Sequence, residues 1–162
     1  MSGNGLIQRL ACGAAAGFVG TIALQGVRMA TQKWLPEAMP PIRKDPGEFM
    51  VEKVEQSLPP ETSARVPAVA ETAAAKSLAL GYGVTAGMLY AALCRNRDGV
   101  IVNGAALGLG TWAVGYLGWL PAVDLMPPLT EQTPKQATGS VLHHVLFGMA
   151  TVAAYRWLKS RA

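Results

Sequence analysis

Trp34-Leu35-Pro36-Glu37-Ala38-Met39-Pro40-Pro41-Ile42 and Trp119-Leu120-Pro121-Ala122-Val123-Asp124-Leu125-Met126-Pro127-Pro128-Leu129 are two copies of one motif. Each copy follows a Gly/Ala-rich apolar segment and precedes a second apolar segment with a tyrosine near its end, Tyr90 or Tyr155. The arrangement predicts two matching loops in a duplicated helical hairpin. The glycines continue the match: Gly13 and Gly17 in the first helix correspond to Gly104 and Gly108 in the third. Gly83 precedes Tyr90 by the same interval that separates Gly148 from Tyr155. A repeat unit that crosses a membrane twice keeps its orientation, so the copies are expected to be related by a pseudo-twofold along the membrane normal.

The membrane reading comes from charge. Charged residues are 15% of the 162, against about 25% in soluble domains. Four windows lack Asp, Glu, Lys and Arg altogether: Leu10 to Val27, Ser77 to Cys94, Gly99 to Val123 and Gln136 to Tyr155. Each approaches the roughly 20 residues a helix needs to cross the hydrocarbon. Mean hydropathy is only +0.25, because Ala and Gly fill these windows. A soluble Ala-rich bundle would instead show charge every third or fourth residue. The expected fold is therefore all-α: an integral membrane four-helix bundle of two parallel hairpin repeats, in one domain over 1–162. Repeat 1 covers about 5–95, with a surface insertion at 43–66, and repeat 2 covers about 99–159.

Local signals place the boundaries. The first apolar segment runs on through Gln25, Arg28 and Lys33 to Trp34 without a convincing cleavage site, which predicts an uncleaved helix. Asp45-Pro46-Gly47-Glu48 reads as an N-cap with Pro at the first helical position. The helix it opens carries Phe49, Met50, Val54 and Leu58 opposite Glu48, Glu52 and Glu55. That pattern suits either a membrane-surface helix or one packed on the bundle. Thr133-Pro134-Lys135-Gln136 predicts a second capped start.

The net charge of +4 comes with no basic face or aromatic platform, so nucleic acid is not an expected partner. Basic residues collect at the N-terminus, at 95–97 and at the C-terminal tail. Such clustering on the cytoplasmic side puts both termini inside and both Trp-Leu-Pro loops outside. Arg43, Lys44, Lys53 and Arg65 in the first loop work against this orientation. Trp34, Trp119, Tyr90, Tyr155 and Trp157 suit the aromatic belts at the two interfaces. Cys12 and Cys94 are expected as free thiols, and no metal site is expected, for want of further ligands.

Helix packing is assigned to Gly13, Gly17, Gly83, Gly87, Gly104, Gly108, Gly115 and Gly148. Lipid tails give helices no hydrophobic reason to associate, so close backbone approach must hold them together. With Thr111 and Gly118, the glycines of the third helix make one side of it nearly smooth.

Thr21, Gln25, Arg28 and Gln32 form a polar stripe on the first helix. Arg28 either snorkels to the interface or needs an anion, because an unpaired charge inside the membrane is costly. Glu71, Asp124 and Glu37 are its candidate partners. With His143 and His144, the only histidines, these define a candidate polar site at the outer end: Arg28, Glu71, Asp124, His143 and His144. Successive helical residues point about 100° apart, so the adjacent histidines cannot clamp one haem within a chain. No cofactor is expected. The chain lacks a phosphate-binding Gly loop, a zinc-protease motif and a nucleophile elbow, and Ser140 lacks an orienting acid; no catalytic residue is assigned.

Gly104 to Trp112, Met126-Pro127-Pro128 and His143-His144 to Gly148, with the Gly-rich helix starts, resemble the small four-helix bacterial inner-membrane proteins of unknown function grouped with YagU. The resemblance covers the last two helices best and the first two loosely. It implies a multi-pass bacterial inner-membrane location and assigns no chemistry. The leading expectation is a non-enzymatic accessory or interaction subunit, or a homo-oligomer, whose partners are the bilayer and another membrane protein or itself. The alternatives are a small transporter or channel with its polar site near the outer face, and a haem or quinone binder.

Overall fold

The computed structural model describes residues 3–59, 61, 67–93 and 99–161. Every regular element among them is helical. Helix α1 spans Gly3–Trp34, α2 Pro46–Glu55, α3 Ala68–Leu93, α4 Val100–Trp112 and α5 Pro134–Lys159. Single 3₁₀ turns at Pro36–Ala38 and Leu129–Glu131 sit in the two Trp-Leu-Pro loops. Cys94, the 95–98 turn and Arg65 lie outside the described residues.

Both predicted helix starts are present. The Asp45 carboxylate accepts from the amides of Gly47 (2.8 Å) and Glu48 (3.2 Å), with Pro46 at the first helical position. Thr133 and Gln136 form a full capping box, side chain to backbone in both directions (3.3 and 3.0 Å). Each cap satisfies amides that a helix N-terminus would otherwise leave orphaned.

Among the described residues three helices are long and apolar enough to cross a membrane: Gly5–Trp34, Val100–Ala122 and Pro134–Lys159. The sequence windows lead to an expectation of four. Helix α3 is not in the set over its described residues, which end at Leu93, one residue short of the uncharged window that closes at Cys94. Large apolar side chains remain exposed around the bundle, among them Met29 at 72%, Val102 at 72% and Leu93 at 79%. In water such a surface would drive aggregation, whereas in hydrocarbon it costs nothing.

The core is made of backbone contacts rather than large side chains. Helices α1 and α3 run antiparallel, with Gly13 against Gly87 and Gly17 against Gly83. A Cβ added at Gly87 would lie 2.1 Å from the Gly13 carbonyl oxygen. Helices α4 and α5 meet the same way: a Cβ at Gly148 would lie 2.0 Å from the Gly104 carbonyl oxygen, and one at Gly108 2.2 Å from that of His144. Helix α1 also packs on α5, where Gly20 faces Thr151 and Phe147. Helices α3 and α4 barely touch. Toward the termini, Tyr90 and Tyr155 pack edge to face (5.4 Å) within a cluster that holds Ala16, Ala91 and Val152.

The two Trp-Leu-Pro loops meet at the opposite end. The Arg43 amide donates to the Leu125 carbonyl (2.8 Å), and the Arg43 guanidinium pairs with Asp124. Ile42 packs on Tyr116, Leu120, Leu125 and Met126. The first loop also docks on α5: Lys135 reaches Glu37 (3.3 Å), and Gly139 lies against the Ala38 carbonyl.

Helix α2 is held on α3, the bundle-packed form of the two sequence readings. Gly47 sits so close to Ala75 that a Cβ would come within 2.4 Å of its carbonyl oxygen. Glu55, at the far end of α2, faces Glu71. Desolvation, and next the Glu71 charge, push the Glu55 carboxyl above its usual range. A carboxyl raised in the docked state stabilises docking while protonated, and that contribution is lost as pH rises through the raised value. A spin label at Val54, in a background without Cys12 and Cys94, should therefore gain mobility as pH rises from the ordinary glutamate range toward neutrality. Glu55→Gln should flatten the profile; a profile unchanged by Glu55→Gln would clear this pair of any part in docking.

Candidate functional site

Most of the polar stripe on α1 faces a partly open space between the helices. Thr21, Leu24, Gln25 and Arg28 follow helical spacing and form one wall of a cavity of about 470 Å³. That volume lies within the roughly 300–1,000 Å³ of small-molecule pockets. The opposite walls come from Leu78, Ala79, Tyr82 and Gly83 on α3 and from His143, His144 and Phe147 on α5. Asp45, Pro46, Gly47 and Met50 at the start of α2 close the end away from the termini. The cavity exists because the α1–α3 and α4–α5 pairs join mainly along α1 and α5, leaving α3 and α4 largely apart. Across that gap the Tyr82 hydroxyl donates to the Thr111 carbonyl (3.1 Å).

A break in α4 supplies the fourth wall. Beyond Trp112 the helix widens into a π-helical stretch, Ala113–Trp119, with Gly118 far from helical torsion (φ −99°, ψ −107°), and tightens again over Leu120–Ala122. Such widened turns are rare and gather at functional sites. Here the stretch brings Tyr116, Trp119 and Leu120 to the cavity beside Thr111 and Gly115. The smooth face expected for this helix is thereby divided. Gly104 and Gly108 meet α5, but a Cβ at Gly115 would find only Leu120 near it, at 3.9 Å, so this glycine makes room rather than a helix contact.

The histidines diverge. His143 is buried (4% exposed), and its Nε2 lies 2.8 Å from the Thr31 hydroxyl of α1. His144 Nδ1–H donates to the Ser140 carbonyl (2.9 Å), which in the neutral ring leaves Nε2 as an acceptor, and its ring packs edge to face on Tyr116 (5.0 Å). Ser140 is fully buried; it receives the Trp112 indole N–H (2.9 Å) and donates to the Ala137 carbonyl. Its hydroxyl is thus spent on structure.

Of the five residues expected to form a polar site, three line the cavity together: Arg28, His143 and His144. The other two are elsewhere. Asp124 is 85% exposed in the second loop and paired with Arg43, and it adopts positive φ (59°). Glu71 stands beside Glu55. Gln32, the last member of the α1 stripe, is exposed and off the cavity wall. Among the described residues no three of His, Cys, Asp and Glu converge in a way that could hold a metal ion.

Sequence reasoning missed Tyr82, Tyr116 and the role of Thr111. The available signal was an aromatic residue set among glycines in the middle of an apolar window, a place where belts do not form. No family model matches the chain, and no curated protein or solved structure matches it significantly.

Proposed function

We propose that this protein is a non-enzymatic integral membrane protein of the bacterial inner membrane that receives an apolar or amphiphilic molecule in the cavity between its two helix pairs, as a small transporter or carrier would. The observation that carries this is the cavity itself: mostly apolar walls, a few converging polar groups, and a gap on the α3–α4 side. Pockets for small molecules have this composition.

In this reading α3 is the fourth spanning helix, held against α1 by its glycines, and the termini are cytoplasmic. The parallel hairpin repeat draws support from matching contacts. Gly87 meets Gly13 and Gly17 as Gly148 meets Gly104 and Gly108. On these contacts the repeat aligns Gly87 with Gly148, one turn away from the Gly83–Gly148 alignment that the tyrosine spacing suggests. The accessory-subunit reading needs a smooth glycine face left open for a partner, and these glycines are occupied within the chain.

The test is saturable binding of Nile red, a neutral apolar dye whose emission rises out of water, to the purified chain in maltoside micelles. The expected result is a one-to-one complex with wild type and its loss in Ala79→Trp, whose indole fills the cavity. A dye signal that never saturates, or that Ala79→Trp leaves intact, overturns the reading.

A further inference from the structure

The cavity contains a cation, Arg28, with no ion pair among the described residues. Arg28 lines it about 9 Å below the end of α1, counting six residues to Trp34 at 1.5 Å each. The anions that sequence reasoning offered are placed elsewhere: Asp124 pairs with Arg43, Glu37 with Lys135, and Glu71 stands beside Glu55. Asp45, the acidic side chain on the cavity wall, accepts the Gly47 and Glu48 amides through its Oδ1 and makes no ion pair with Arg28. Among the described residues Arg28 has neither an ion pair nor a hydrogen bond. A half-buried guanidinium within a spanning helix calls for a counter-charge.

The remaining walls state what the rest of the ligand is. Leu24, Leu78, Phe147 and Met50 are apolar, and they would not compensate a small hydrated anion for its lost water. Gln25 adds an amide N–H donor next to Arg28. In the neutral ring His144 Nε2 is an acceptor, because the ring's one N–H, on Nδ1, is given to Ser140.

Resting on the cavity reading above, we infer that the ligand is an anionic single-chain amphiphile: its carboxylate or phosphate head is held by Arg28 and Gln25, and its alkyl chain lies along Leu24, Leu78 and Phe147. Charge-assisted bonds to a planar guanidinium suit both heads.

Displacement of bound Nile red separates this from the cavity reading. Dodecanoate and dodecyl phosphate should displace the dye at concentrations about tenfold or more below that of dodecanol, which shares the chain and lacks the charge; tenfold is the effect of one modest charged contact. Arg28→Gln should bring both anions to the dodecanol level and leave dodecanol unchanged, and Arg28→Lys should recover part of the difference. Dodecanol displacing as well as dodecanoate overturns the inference while the cavity reading stands. Failure of Nile red itself to bind overturns both. If inorganic phosphate or acetate shifts the dodecanoate curve at equal concentration, Arg28 is a site for free anions and the amphiphile is rejected. Should Arg28→Gln not fold, the wild-type comparison of dodecanoate with dodecanol still decides.

Discussion

Gly148→Ala destabilises this protein more than any other single-methyl change considered, by about 3 kcal/mol or more, the upper end of overpacking costs. The added Cβ falls 2.0 Å from the Gly104 carbonyl oxygen and 2.6 Å from the Gly108 amide nitrogen. Both are backbone atoms, so no rotamer change relieves the overlap. The helices must move apart, and each van der Waals contact along the α4–α5 seam weakens together. Unfolding by SDS titration in mixed micelles reads the change directly. Gly110→Ala is the matched control: no atom lies within 4 Å of its Cβ, so only helix propensity acts, and stability should rise by up to about 1 kcal/mol. Equal stability of Gly148→Ala and wild type would mean that α4 and α5 do not pack through this glycine.

Gly47→Ala produces a different failure, confined to the cap of the cavity. Alanine is the better helix former, so α2 itself should gain. Its Cβ, however, meets the Ala75 carbonyl oxygen at 2.4 Å and Ala75 Cα at 3.0 Å. The undocking cost of about 1–3 kcal/mol raises the local opening equilibrium roughly five- to 150-fold. Hydrogen exchange should show that loss of protection over residues 48–55, while amides of α4 and α5 keep theirs. Unchanged protection over 48–55 would show that α2 is not held through Gly47. Because Gly47, Pro46 and Met50 line the cavity, the same variant should bind Nile red more weakly.

The helices and their caps were readable because their causes are local. Asp45-Pro46 and Thr133-Pro134-Lys135-Gln136 satisfy backbone amides within four residues of themselves, so the motif and the bond occupy the same short stretch. The packing glycines were readable for a related reason: in lipid, small residues repeated at one helix face serve close approach. Their partners were not readable. Gly13 and Gly104 share a pattern, yet nothing in it says that Gly13 faces Gly87 and that Gly104 faces Gly148 and Met149.

The candidate site divides along the same line. Arg28, His143 and His144 were identified as residues that do not belong in apolar helices without a reason, and they share a cavity. Asp124 and Glu71 were added because charges attract and the loops lie at one end. The backbone bond from Arg43 to Leu125 brings a competing cation to Asp124 first. Tyr116 reaches the cavity through the π-helical stretch at Ala113–Trp119, a change of helix register that leaves no mark in residue type.

By itself, then, the sequence determined an all-helical chain with long uncharged segments, two capped helix starts, paired Trp-Leu-Pro loops and glycine faces for packing. These follow from composition and from bonds that close within a turn or two. Only the tertiary structure decided that α1 joins α5 while α3 stands off from α4, and so that a cavity opens between the pairs with Arg28 on its wall, unpaired among the described residues. The physical reason is range: a cap or a small-residue stripe is complete within one helix, but an empty space is defined by surfaces from several helices at once.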